Sequence, residues 1–224
     1  MIRENLESVR QRIAKCCEKI GRPSDSVRLV CVTKKASINE AEELLGLGIN
    51  DLGENRVQEL VAKHKIIASK AAWHLVGHLQ TNKVRDAVRI AQLIHSVDSA
   101  RLAKEIDKQA EKIGKVQDIL IEVNTSAEAT KFGIKPSDAV GFLKELTLYP
   151  NISVKGLMTI APEVDDPEKA RPYFRALREL RTKLTSSQLL TPDSQLLSMG
   201  MSNDFEVAIE EGSNMVRIGR AIFV

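Results

Sequence analysis

The sequence predicts an α/β protein, a single parallel β/α barrel of the TIM-like kind with an additional N-terminal helix, extending over residues 1–224 as one domain. Three observations predict it. Short apolar runs of the kind buried on both faces alternate with amphipathic helical patterns eight times along the chain. No G-x-G-x-x-G follows the first strand, which counts against an open doubly wound sheet. Two small-residue turns, Ser198-Met-Gly-Met-Ser-Asn203 and Ile218-Gly-Arg220, follow the last two strands, where barrels of this type keep phosphate sites.

Taken in order, Leu6, Val9, Ile13, Cys16 and Ile20 recur at helical spacing and give a first amphipathic helix ended by Gly21 and Pro23. Val27–Thr33 reads as the first strand, and Ser37 with Glu40 as a capping box opening the next helix, through Leu45 to Gly48. Further strands are expected at Ile49–Gly53, Trp73–Gly77, Leu93–Val97, Asp118–Val123, Ile152–Met158, Gln195–Ser198 and Met215–Ile218. Helical patterns fill the gaps at Val57–Ala68, Asn82–Ile90, Ser99–Ile113, Ser137–Leu146, Asp166–Leu184 and Asp204–Glu211. Pro167 suits the first helical position behind an Asp166 cap. The sequence runs only five residues past Gly219, so an eighth helix is not expected, and the N-terminal helix is expected to cover the gap.

Composition excludes several classes. Lys plus Arg number 33 and Asp plus Glu 30, and the basic residues are interspersed with acidic ones, so no nucleic-acid footprint is present. Cys16, Cys17 and Cys31 make neither an even disulfide framework nor a metal-ligand spacing, which suits reduced thiols in a cytoplasmic protein. The N-terminus is charged from its third residue and shows no apolar core before a cleavage site, so no secretory signal is expected, and no apolar run approaches the roughly 20 residues of a membrane span. The four histidines show no metal-ligand spacing.

In a barrel the chemistry sits where strands end. Val30, Val32 and Lys34 share one face by the two-residue period, so the Lys34 amine is expected at the mouth, partly desolvated and close to Lys35 and Arg217. Such a lysine keeps a larger share of free amine, as a Schiff base requires; position alone equally allows a solvated strand-end lysine that snorkels outward. A lysine of that kind beside two phosphate turns suits a phosphorylated aromatic aldehyde, pyridoxal 5′-phosphate.

The chain also resembles the pyridoxal phosphate homeostasis proteins. The resemblance rests on Val32-Thr-Lys34, Gly53-Glu-Asn-Arg-Val-Gln-Glu59, Trp73-His-Leu-Val-Gly-His-Leu-Gln-Thr-Asn-Lys83, Lys131-Phe-Gly133, Gly156-Leu-Met158, Ser198-Met-Gly-Met-Ser202 and Met215-Val-Arg-Ile-Gly219, in order along nearly the whole chain. It implies an alanine-racemase-like barrel with the cofactor carried as an aldimine on Lys34. It further implies that Ser198, Ser202, Gly219 and Arg220 surround the phosphate, that Arg217 faces the pyridine nitrogen, and that Asn55 lies near the cofactor. Lys35, His78 and Arg220 depart from the family's common residues, and the family usually continues beyond the equivalent of Phe223.

An arginine opposite the ring nitrogen leaves that nitrogen unprotonated, a poorer electron sink than a pyridinium. A racemase would also need a second base. The two tyrosines, Tyr149 and Tyr173, fall before the sixth strand and inside a helix, away from the mouth. His74 and His95 read as satisfied core residues, His78 as a group near the mouth, and Met158 and Met199 as core residues within reach of the ring. The expected function is therefore binding, homeostasis and delivery of pyridoxal phosphate by a cytoplasmic monomer, with no metal, no catalytic residue and no defined turnover. Apo-enzymes dependent on the cofactor are the expected recipients, and nucleic acid and membrane are not expected partners. A minimal racemase is the alternative, and a sugar-phosphate enzyme with a substrate Schiff base on Lys34 is the third reading.

Overall fold

The eight expected strands form and close on one another in sequence order: β1 (Arg28–Val32), β2 (Asp51–Glu54), β3 (Ala72–Leu75), β4 (Leu93–Val97), β5 (Gln117–Glu122), β6 (Ile152–Met158), β7 (Leu196–Ser198) and β8 (Met215–Ile218). Every neighbouring pair is parallel, and β8 returns to β1 through Arg28–Met215 to Cys31–Ile218. The computed structural model describes all residues except Ala127, Ala129 and Pro192.

Helices stand between the strands: α1 (Ile2–Lys19), α2 (Ile38–Gly46), α3 (Val57–Ile67), α4 (Val84–Ile90), α5 (Ala100–Glu111), α6 (Ala139–Leu146), α7 (Arg171–Ser186), α8 (Phe205–Glu210) and α9 (Arg220–Phe223). The capping box of α2 is formed, with the Glu40 amide donating to Ser37 and the Ser37 amide donating to Glu40. Asp166 accepts from the Glu168 amide and Pro167 opens a 3-10 turn, so α7 starts at Arg171, later than expected.

Strand alternation splits the core in two. Val30, Val32, Val76, Leu93, Leu120, Met158 and Met215 fill the barrel interior. Their neighbours Cys31, Leu52, Trp73, Ile94, Ile119 and Val216 face outward into a larger belt beneath the helices. Cys31 is fully buried there, and burial pushes its thiol up to about 12.

The expected gap after β8 is partly filled, because α9 supplies a short turn where no helix was expected. The rest is covered by α1, which packs against α2, α8 and α9. Asn5 Nδ2 donates to the Ile222 carbonyl at 3.0 Å. Arg12 forms a two-pronged pair with Glu206, at 3.1 and 2.7 Å, and lies 4.5 Å above the Phe205 ring. Among the described residues, no helix is long and apolar enough to cross a membrane.

Candidate functional site at the barrel mouth

At the C-terminal ends of the strands lies a pocket of about 840 Å³ whose lining includes Lys34, Asn55, Ser202, Arg217, Gly219 and Arg220. Six of the seven residues expected around a cofactor are thus brought together. The seventh, Ser198, does not line this pocket: it is fully buried, with its hydroxyl turned into the barrel. Met158 and Met199 are fully buried in the interior and the outer belt respectively, and neither lines the pocket, contrary to the expectation that they approach a ring there.

Lys34 follows β1 directly, and its turn is held from below. The Thr33 hydroxyl donates to Glu54 Oε1 at 2.5 Å, and Lys63 Nζ from α3 donates to that same oxygen at 2.6 Å and to the Thr33 carbonyl. Burial raises the Glu54 carboxyl while Lys63 and Thr33 oppose the shift. Lys35 adopts φ of 71°, in the left-handed region, which reverses the chain just after Lys34. Lys34 itself is exposed, so the partial desolvation expected for it is absent from this structure, although Lys35 and Arg217 do share its pocket.

Asn55 is seated by a close backbone approach: a Cβ on Gly77 would lie 2.3 Å from the Asn55 carbonyl oxygen. The loop after β7 turns at Gly200, φ 94°, where a Cβ would meet Ala208 Cβ at 2.6 Å. It is tied to the end of β8 by the Ala221 amide, which donates to Ser202 Oγ at 3.1 Å. Among the described residues, the amides of Ser202, Asn203 and Arg220 donate to no other protein group, leaving donors at the two turns.

Arg217 projects into the barrel from β8 and is almost fully buried. Its Nη1 donates to Ser198 Oγ at 2.6 Å and its Nη2 to the Thr159 carbonyl at 2.9 Å. Burial pulls its pKa down to about 10, against the raising effect of Asp204 and Glu122, so it remains a cation at neutral pH. His74 and His95, read from sequence as satisfied core residues, are hydrogen-bonded to each other at 2.9 Å.

Glu122 ends β5 on the face shared with Leu120, inside the barrel. Burial, reinforced by Asp98 and opposed by Arg217, raises its carboxyl to about 7. In the sequence Glu122 is a lone glutamate at a strand end and carries no pattern; only its parity with Leu120 signals an inward carboxyl. Nearby, His78 stacks on Phe132 at 3.8 Å between centroids and faces Asp98 at 3.6 Å. Tyr149 and Tyr173 lie outside the pocket lining. Among the described residues, no cluster of three or more His, Cys, Asp or Glu could hold a metal.

The fold and the mouth define a barrel of the alanine racemase N-terminal type, and the family model "Alanine racemase, N-terminal domain" matches residues 4–224. A solved alanine racemase from Clostridium difficile superposes with a TM-score of 0.78 at 17% identity, covering 99% of this chain and 58% of that one, a likeness of fold alone. The chain belongs to the pyridoxal phosphate homeostasis protein family. The Aquifex aeolicus member is 46% identical over 225 residues, 98% of this chain and 96% of that protein. PipY of Synechococcus elongatus PCC7942, solved with PLP bound, is 31% identical with a TM-score of 0.86, and each chain is covered in full.

Proposed function

We propose that this protein binds pyridoxal 5′-phosphate through Lys34 and serves vitamin B6 homeostasis as a cytoplasmic, monomeric carrier, handing the cofactor to apo-enzymes without a defined turnover. The observation that carries this reading is the union, in one pocket, of the Lys34 amine, the buried Arg217 cation and unpaired amides at Ser202, Asn203 and Arg220. Those groups fit an aldehyde, a pyridine nitrogen and a phosphate respectively. The PLP-bound PipY structure supports the same reading.

Each residue has a distinct task. Lys34 supplies the amine for covalent attachment, on a turn held by Glu54 and Lys63. Ser202 braces the loop after β7, while neighbouring amides donate to the phosphate; Gly219 lets the strand end come close, and Arg220 contributes its amide. Asn55 lines the approach. Ser198 acts one layer lower, as an acceptor for Arg217. The bound cofactor supplies an electron-withdrawing ring. Arg217, held protonated, can only donate to that ring's nitrogen and so disfavours carbanion chemistry.

The test follows both fates of the cofactor. Protein loaded with PLP is mixed with an apo-aminotransferase, and separately with α-deuterated alanine. A carrier restores aminotransferase activity in proportion to the cofactor loaded and washes out deuterium no faster than free PLP. Lys34-dependent wash-out far above free PLP would instead establish the racemase-like enzyme.

A further inference from the structure

A continuous run of polar side chains crosses the barrel interior beneath the mouth. Asp51 Oδ1 meets His74 Nε2 at 2.8 Å; His74 Nδ1 meets His95 Nε2 at 2.9 Å; His95 Nδ1 meets Ser198 Oγ at 3.0 Å; and Arg217 Nη1 donates to that oxygen at 2.6 Å. The run joins β2, β3, β4, β7 and β8. Its two ends open on opposite faces: Arg217 lines the mouth pocket, and Asp51 lines a cleft of about 670 Å³ at the N-terminal end, beside Arg10 and Arg28. His74, His95 and Ser198 are buried throughout.

The chemistry of the ends fixes the direction of the two terminal bonds. A guanidinium only donates, so Ser198 Oγ accepts from Arg217; a carboxylate only accepts, so His74 carries its proton on Nε2. Burial above all keeps His95 neutral with a single N–H. When His74 carries only its Nε2 proton, His95 donates from Nε2 to the bare His74 Nδ1, and Ser198 donates its hydroxyl proton to the bare His95 Nδ1. All four bonds then point from Arg217 toward Asp51. The serine proton is committed to His95, which leaves only lone pairs facing Arg217.

We propose that Asp51, His74, His95 and Ser198 are positioning residues that act as one directed relay, fixing the orientation of Arg217 at the mouth from the opposite end of the barrel. Arg217 is thereby held between two acceptors, Ser198 Oγ and the Thr159 carbonyl, with its remaining N–H groups available to a ligand. The effect of the relay on bound cofactor rests on the function proposed above; its proton order does not.

The proton order is read on the protein without cofactor, by long-range proton–nitrogen correlation of labelled histidines at neutral pH. Both His74 and His95 should be Nε2–H tautomers. A His95 protonated on Nδ1, or a doubly protonated His74, would overturn the relay. Asp51→Asn, whose amide oxygen can still accept, should keep both tautomers, whereas Asp51→Leu should scramble them and shift the visible band of bound PLP. Ser198→Ala, which is nearly isosteric, should weaken PLP binding about tenfold, the scale of one buried hydrogen bond to a charged group. Unchanged tautomers and an unchanged band in Asp51→Leu would overturn the proposal. Wild-type protein that takes up no PLP would defeat the proposed function, while the tautomers would still decide the relay.

Discussion

Glu54 and Lys63 form a buried ion pair, 2.6 Å apart, immediately below the turn that presents Lys34. Lys63 is the only partner of that pair that also holds the Thr33 carbonyl, so it couples stability to the position of the lysine turn. Lys63→Met leaves a carboxylate buried without its cation, which costs about 3–5 kcal/mol. The double variant Lys63→Met/Glu54→Leu should recover most of that loss. Urea denaturation of the four proteins in the cycle checks both statements; a single variant within about 1 kcal/mol of wild type would contradict the first.

Gly77 is required by contact with backbone. An alanine there puts its Cβ 2.3 Å from the Asn55 carbonyl oxygen and 2.9 Å from the Asn55 Cα, neither of which can swing aside as a side chain would. Gly77→Ala should destabilise by about 1–3 kcal/mol and weaken PLP uptake, because Asn55 lines the pocket. The urea midpoint and a PLP titration measure the two effects.

The carboxyl of Glu122 gives a pH signature. Its pKa rises from 4.5 to about 7 on folding, so between those values the folded state binds the extra proton. Stability from this group is therefore complete below about 4.5 and lost as pH rises through about 7, a difference of about 3 kcal/mol. Glu122→Gln should match the wild type near pH 4.5 and exceed it increasingly toward pH 8. Thermal melts of both cofactor-free proteins across that range decide it; a constant gap would place the carboxyl in a different environment.

The docking of α1 is testable at Arg12. Its pair with Glu206 is about two-fifths exposed on both sides, so the ion pair is worth little, and the contact over Phe205 adds to it. Arg12→Ala should cost about 1–2 kcal/mol in urea unfolding and leave PLP binding unchanged.

Much of this was legible in the sequence because it is local. The strands β4, β6 and β8 are bounded as expected, since compact apolar runs flanked by turn residues fix them. The site was legible where strand parity applies: Lys34 beyond Val30 and Val32, and Arg217 beyond Met215. Ser198 shows the limit. It shares the inward parity of Leu196, but whether its hydroxyl rises to the mouth or serves Arg217 and His95 depends on β4 and β8, which are distant in sequence. The pairing of Asp51 with His74, and of Lys63 with Thr33, is likewise set by barrel closure and carries no spacing rule. Strand order places Lys34 at the mouth without saying how deep the turn sits, so a desolvated and a solvated amine were both open from the sequence, and the structure shows it exposed.

Lys34 is the proposed covalent anchor for the cofactor. Protein loaded with PLP is reduced with borohydride, digested and mapped by mass, beside Lys34→Ala treated in the same way. A pyridoxyl group on the peptide containing Lys34, with the visible band and that adduct both lost in Lys34→Ala, is the predicted result. Stoichiometric labelling at another lysine, or a wild type that takes up no PLP, would contradict the account.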